Sequence, residues 1–362
     1  MKVIHVNWSL PIGGKERRLI QLIKGLNHNG YDQTLVTFAA KNDYAGSFED
    51  YCKYIVVGGN SKFERCRLFA RLIKDEKPDV VHLWSSLPLV SFYMPMLKIR
   101  YGFKYVAGFV ADAIPLKWSS FTCIAHHFTY PFADAIVSNS KAGLIAKKAD
   151  YKKAHVIYNG FDFNRFKKEG FNKAVYKDSL GIKERFVVTM AARFSPSKDY
   201  IMFVKMAKQF QDNPDVVFFA AGYGETKGEC ERYCEKNNIK NVRFLGYRTD
   251  MEEILMCSDF GILFTNDAVH AEGVSNSIME SMAAGMPVIA TDGGGTPEII
   301  ENGVSGYIVK PKDYMKASEL LNQLLFDEQL RKRIGEAAKQ RVEDKFTLSA
   351  MTDEYIKLYA SL

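Results

Sequence analysis

Thirteen short apolar runs, separated by longer amphipathic or polar stretches, constrain what this chain can fold into more than any other feature. Seven of them, "VIHVNW", "QTLVTFAA", "YIVVGG", "DVVHLW", "KYVAGFV", "DAIVSNS" and "AHVIYNG", lie before residue 161. After the polar and basic stretch "FDFNRFKKEGFNKAVYKDSLG" the pattern restarts with "FVVTMAAR", "DVVFFAAG", "NVRFLG", "DFGILFT", "MPVIATDG" and "SGYIVK". Their near-continuous Val, Ile and Phe content, without alternation, is that of strands buried on both faces of a parallel sheet. Helical stretches connect them, such as Lys15 to Asn27, opened by Gly13-Gly14 and closed near Gly30. Two strand–helix series joined by a linker predict two doubly wound α/β domains facing each other. From about Asp313 the chain reads as helix, and its last segment, "LSAMTDEYIKLYASL", is amphipathic enough to pack on another surface.

At 362 residues the chain is too long for one ordinary core. Its 47% hydrophobic and 25% charged residues are those of a soluble globular protein. The net charge of +7 favours anionic partners such as nucleotides or an acidic membrane face, and the absence of a long Lys/Arg block argues against nucleic acid. Six scattered cysteines suit a reducing cytoplasm. Cys230 and Cys234 share a helix face, and the two further ligands a metal would need are not evident nearby. "MKVIHVNW" enters a strand pattern at once, so no signal peptide is expected. The longest uncharged run, Val80 to Leu97, is interrupted by Pro88, Pro95 and three serines and makes a poor membrane span.

In doubly wound sheets ligands sit beyond the carboxyl ends of the strands. There, "FVVTMAARFSPSKD" carries Arg193 and Lys198 beside a starting helix, either an anion site or two solvated charges. "AAGYGE" supplies Gly222 and Gly224, weak signals of a tight turn and close ligand approach. "NVRFLGYRTDM" places Gly246, Tyr247 and Arg248 where a flat base would rest against main chain, or where the chain simply turns. "HAEGVSNSIMESMAAGMPVIAT" sets Glu272 and Glu280 eight positions apart. One reading is a capping box, with Ser277 as N-cap and Glu280 folding back onto it. The other puts both carboxylates near the positive end of a helix, where they accept sugar and ribose hydroxyls while Gly273, Val274, Ser275 and Asn276 offer backbone N–H groups.

The last stretch resembles the E-x7-E signature of retaining nucleotide-sugar glycosyltransferases of the GT-B fold, glycosyltransferase family 4. The resemblance runs through Gly13-Gly14-x-Glu16, "DAIVSNS", "VIYNGFDFNRF", "ARFSPSK", "FLGY" and "EGVSNSIMESMAAGMPVIATDGGGTPEII". It implies two Rossmann-like domains around a central cleft. Residues 1–165 would bind the acceptor, with a C-terminal helix of about 347–362 packing back on them, and residues 166–346 the donor. It implies that Arg193 and Lys198 bind the diphosphate and stabilise the leaving group. Glu272 would hold the donor sugar, Gly273 to Asn276 would touch sugar and phosphate, and Glu280 would bind the ribose hydroxyls. Gly13 and Gly14 would lie near the phosphates, and Tyr247 or Arg248 would meet the base through main chain. The reaction expected is transfer of a hexose-type sugar from a UDP-sugar, or next a GDP-sugar, with retention of configuration. No cofactor and no metal are expected, and the sequence has no Asp-x-Asp motif. Fixed cations and helix-end amides would supply most of the acceleration, with domain closure completing the site.

The resemblance fails at one place. Many members carry a histidine at the end of the strand read here as "KYVAGFV", where Val110 or Ala111 stands, followed by Asp112. His82, His126 and His127 are candidates to substitute, although a lone histidine in such places is more often a packed or surface residue, and Asp112 is a candidate to orient sugar or acceptor. That gap keeps open a nucleotide-sugar-binding partner subunit without transfer activity; a sugar-nucleotide epimerase of the same fold is a second alternative. "SKFERCRLFARLIKD" and "FYMPMLKIRYGFKY" mix basic, aromatic and aliphatic residues. They are either core-facing helices with snorkelling basic ends or a surface for an anionic membrane and a lipid-linked acceptor. Surface polysaccharide or glycolipid assembly, in the cytoplasm or at the inner membrane face, is the expected setting.

Overall fold

The computed structural model of the chain describes residues 1–85, 88–110, 112–115, 124, 128–149 and 152–362. Each of the thirteen apolar runs forms a strand of one of two parallel sheets. The first sheet has seven strands in the order β3-β2-β1-β4-β5-β6-β7. They are β1 Lys2–Asn7, β2 Asp32–Thr37, β3 Lys53–Val56, β4 Val80–Leu83, β5 Lys104–Val110, β6 Ala135–Ser138 and β7 Ala154–Val156. The second has six in the order β10-β9-β8-β11-β12-β13. These are β8 Phe186–Ala191, β9 Val216–Ala221, β10 Val242–Gly246, β11 Phe260–Leu263, β12 Val288–Thr291 and β13 Tyr307–Val309. Strand order running outward both ways from the first strand of each series is the doubly wound arrangement. It puts the loops that follow the strands at one end of each sheet.

Alternate residues of β1 feed two cores, as the pleat requires. Ile4 and Val6 pack with Phe69, Met94 and Tyr105 under the helices Lys62–Glu76 and Pro88–Tyr101. Val3 packs with Leu19, Ile23, Trp84 and Tyr355 under the helices Gly14–His28 and Leu348–Ser361. The chain divides into a unit of Met1–Gly160 with Leu348–Leu362 and a unit of Phe161–Thr347. The first division falls a few residues before Arg165, the boundary expected from sequence. Phe161 donates its N–H to Phe346 O at 2.7 Å, and Arg165 pairs with Glu252, which ties this stretch to the second unit.

Beneath the last helix the first unit buries a polar and aromatic network. Trp84 Nε1 donates to His5 Nδ1 at 3.2 Å, and the other ring nitrogen of His5 lies 3.2 Å from Gln33 Oε1, so His5 is satisfied as a neutral ring. The His82 ring stacks on Trp84 at 4.4 Å and its Nδ1 lies 2.6 Å from the Tyr359 hydroxyl. Arg18 donates to Ile157 O at 2.9 Å and to the Tyr355 hydroxyl, with its guanidinium over the rings of Trp84 and Tyr355. Burial holds both histidines below the ordinary imidazole range, His5 down to about 4. His82 therefore cannot take the place of a sugar-facing histidine: it is walled in on every side. His126, His127 and Ala111 lie outside the described residues.

Candidate active site

The second unit gathers its charged residues at the carboxyl ends of β8 and β11. The loop after β8 lies along the end of β11: Lys198 bridges Thr265, and Asp199 donates its N–H to Phe264 O at 2.9 Å. Asp199 then caps the helix Tyr200–Lys208 through Met202 N at 2.8 Å. This fixes Lys198 so that its ammonium pairs with Glu272 Oε1. Thr265 donates its hydroxyl to the same oxygen at 3.1 Å, and His270 Nε2 stands 3.6 Å away. Glu272 is only 9% exposed. Burial alone would raise its carboxyl, but the Lys198 charge and the hydrogen bonds from His270 and Lys198 outweigh it and bring it down to about 2. Main chain holds the residue too, since Gly295 N–H donates to Glu272 O at 2.8 Å. Gly294, at φ 55°, leaves no room for a Cβ, which would overlap that carbonyl.

The helix Asn276–Ala283 begins after Ser275, whose side chain makes no capping bond. Ser277 is inside the helix and donates its hydroxyl to Ala191 O at 2.7 Å, the last residue of β8. Glu280, one turn on and on the same face, meets Arg165 Nη1 at 2.8 Å. The capping-box reading is thus overturned: Ser277 ties the helix to the strand end and Glu280 is engaged by a side chain 115 residues away. Arg165 also holds Glu252 at 2.7 Å. Burial works against its positive charge, and the two carboxylates more than offset that. Sequence assigned no role to Thr265, His270 or Arg165, although "VIYNGFDFNRF" and "HAEGVSNSIMESMAAGMPVIAT" contain the last two, because nothing in their spacing marks them as partners of the carboxylates.

At the ends of β9 and β10, Gly222 has φ 142° and a Cβ there would overlap Ala192 O, so glycine lets the β8 and β9 ends close up. Its N–H donates to Gly246 O at 2.9 Å. The exposed rings of Tyr223 and Tyr247 meet edge to face at 5.7 Å. Arg248 is committed to Asp250 through both carboxylate oxygens, at 2.8 and 2.6 Å, which leaves recognition by its side chain unavailable. Arg193 is separate from the Lys198 pair: its side chain is 66% exposed and lies 3.6 Å from Glu225.

In the first unit, Gly13 is the N-cap of the helix Gly14–His28 and exchanges hydrogen bonds with the Tyr44 hydroxyl, at 3.4 Å and 3.1 Å. Asp112 is held by Lys147 Nζ at 2.7 Å and accepts from Ile114 N at 3.0 Å. The two basic-aromatic stretches are the helices Lys62–Glu76 and Pro88–Tyr101. Each buries one face in the core, yet Phe63 at 81% and Ile99 at 77% are exposed, and a groove of about 750 Å³ opens among Phe92, Met96, Ile99, Phe128 and Phe132. Cys230 and Cys234 are buried within the helix Lys227–Lys236, where burial pushes their thiols up to about 12 and about 11. Cys123 lies outside the described residues. Among the described residues no cluster of His, Cys, Asp and Glu has the make-up of a metal site. Nor is any helix long and apolar enough to cross a membrane.

Comparison with known proteins agrees with the two-sheet fold. Residues 12–165 match the family profile "Glycosyltransferase Family 4" and residues 172–341 the profile "Glycosyl transferases group 1". The lipopolysaccharide core biosynthesis glycosyltransferase LpsE of Rhizobium meliloti is 25% identical over 100% of this chain and 99% of its own. The O-antigen chain mannosyltransferase C of Escherichia coli is 24% identical with the same coverage. Among solved structures, Anabaena HepE in complex with UDP and glucose covers 100% of both chains with a TM-score of 0.87 at 21% identity. That likeness shows the fold to be GT-B.

Proposed function

Because this chain belongs to glycosyltransferase family 4, we propose that it is a retaining hexosyltransferase using a UDP-sugar, or next a GDP-sugar, and a hydroxyl of a glycan or lipid-linked acceptor. The observation that carries the reading is the buried Lys198–Glu272 pair at the mouth of the helix Asn276–Ala283. A sugar nucleotide offers each partner a substitute. Its diphosphate takes the cations of Lys198 and Arg193, and sugar hydroxyls donate to the Glu272 carboxylate. As the bond to the sugar breaks, charge grows on the leaving diphosphate, and in this reading Lys198, Arg193 and the helix-end amides of 273–276 stabilise it. Preset dipoles and charges of that kind lower the barrier without reorganising. The acceptor hydroxyl attacks from the leaving-group face and gives its proton to a donor phosphate oxygen, so configuration is retained and neither metal nor cofactor is needed. Glu280 takes the ribose hydroxyls, and the main chain at Gly246 to Arg248 takes the base, beside the Tyr223 and Tyr247 rings.

The UDP and glucose held by HepE support a UDP-hexose donor, and the named roles of the relatives support surface polysaccharide or lipopolysaccharide assembly. Peripheral association with an anionic membrane belongs to the same reading. Exposed Phe63, Met96 and Ile99 share two helices with the exposed Arg67, Arg71, Lys74 and Arg100. Calorimetric titration with UDP, GDP and ADP in EDTA, for the wild type, Arg193→Ala and Glu280→Ala, tests the donor site. Binding of one nucleotide by the wild type, lost in both variants, is the expected result; binding of none refutes the proposal. Binding without transfer to any glycan acceptor selects the inactive-partner alternative, and a new sugar nucleotide formed without acceptor selects the epimerase. Anomeric analysis of the product by NMR tests retention. Sedimentation with vesicles containing phosphatidylglycerol tests the membrane face.

A further inference from the structure

We propose that Arg165 is a positioning residue for the donor ribose: it holds the Glu280 carboxylate in the orientation that accepts ribose hydroxyls, and so sets the preference for a ribonucleotide over a deoxynucleotide. This rests on the ribose role of Glu280 proposed above. Arg165 projects from the single 3-10 turn Phe163–Phe166, which Asp162 fixes by accepting from Asn164 N at 3.0 Å. The guanidinium is gripped on three sides. Its Nε and Nη2 meet Glu252 Oε1 at 2.8 and 2.7 Å, its Nη1 meets Glu280 Oε1 at 2.8 Å, and its Cζ lies 5.3 Å from the Phe161 ring centre. A planar fork held this way cannot rotate without breaking several contacts at once. With one Glu280 oxygen fixed, the plane of the carboxylate is fixed, and the direction of its second oxygen with it.

Two contacts to Glu252 already tie the turn to the helix Met251–Cys257, so the reach to Glu280 adds nothing the turn needs for anchorage. What it adds is control of a carboxylate on the same helix face as Ser277, whose hydroxyl marks the end of β8 just before Arg193. Arg165 and Glu280 are both mostly buried, with side chains 19% and 13% exposed, so their contact is little weakened by solvent.

The test is calorimetric binding of UDP, 2′-deoxy-UDP and 3′-deoxy-UDP to the wild type, to Arg165→Lys and to Arg165→Gln combined with Glu252→Gln. The double variant also removes the charge of Glu252, which would otherwise lose its Arg165 contact, and thermal melts check that each protein is folded. A carboxylate deprived of a hydroxyl partner weakens binding about tenfold to a hundredfold, which is the preference expected of the wild type for UDP over at least one analogue. In the double variant that ratio falls below about threefold while affinity for the deoxy analogue is little changed. Arg165→Lys, which keeps the charge and loses the fork, gives an intermediate ratio. A purely structural role would weaken all three ligands alike and leave the ratio intact. A full wild-type ratio in either folded variant overturns the proposal. A wild type that binds no UDP, or binds all three equally, overturns instead the ribose role of Glu280 on which it stands.

Discussion

Replacing Lys198 with methionine removes the ammonium and keeps most of the apolar stem, leaving Glu272 buried against Thr265 and His270 alone. The size of the effect follows from the carboxyl shift. Glu272 moves from 4.5 to about 2, roughly 2.5 pH units, and each unit is about 1.4 kcal/mol, so its favourable surroundings are worth about 3 kcal/mol to folding at pH 7. Burial of this side chain, 12% exposed, keeps solvent from screening most of that. Thr265 and His270 retain a share, so Lys198→Met destabilises the fold by about 2–3 kcal/mol, or roughly 4–12 °C in melting temperature. The sign of the pH dependence is fixed: a lowered carboxyl stabilises fully above its ordinary range and loses that contribution as pH falls toward about 2. In the variant, burial without the cation raises the carboxyl, so Glu272 takes up a proton early. The gap between wild type and variant is therefore full at pH 8 and narrows on approach to pH 4, about the ordinary carboxylate range. Far-UV circular dichroism melts across that range measure it. A variant melting with the wild type at pH 7, or a gap that does not change with pH, refutes the reasoning.

Three further outcomes follow from the packing. His5, held down to about 4, stays neutral in the fold while it charges in the unfolded chain. Folding stability therefore drops as pH falls from about 6.5 to about 4, by about 3 kcal/mol, and urea titrations of His5→Gln lose that slope. Gly294→Ala sets a Cβ against the Glu272 carbonyl at a left-handed backbone position and costs about 2 kcal/mol or more, measurable by urea denaturation. Tyr355→Ala opens a cavity beside Trp84 and Arg18 and costs about 3–5 kcal/mol, seen as a lower urea midpoint in tryptophan fluorescence.

The strands were legible because a parallel sheet covered by helices demands runs such as "FVVTMAAR" and "DVVFFAAG", which no solvent-facing element tolerates. The loops after them were legible because topology puts ligand sites there. Pairing across the fold was not. Nothing in "NGFDFNRF" says that Arg165 will reach Glu280, and nothing in "HAEG" says that Lys198 will find Glu272. Such partners are chosen by how strands and helices stack, and a sequence window holds only one of the two. His82 shows the converse. Its strand-end position left open a sugar-facing imidazole or a packed one, and the choice is made by the helix that covers β4, which lies at the far end of the chain.

That last point bears on how the protein is made. The face of the first sheet bearing Trp84 and Val3 is closed by Met351, Tyr355 and Tyr359, which leave the ribosome only after the whole of Phe161–Thr347. At ordinary rates of synthesis that is a delay of roughly 10–40 s. Throughout it, Arg18 and His82 bond water in place of the Tyr355 and Tyr359 hydroxyls, and the apolar face beside them stays open. The core of the first unit therefore closes only once Leu348–Leu362 has been made, and open apolar surface of that kind is the type that aggregates or binds chaperones.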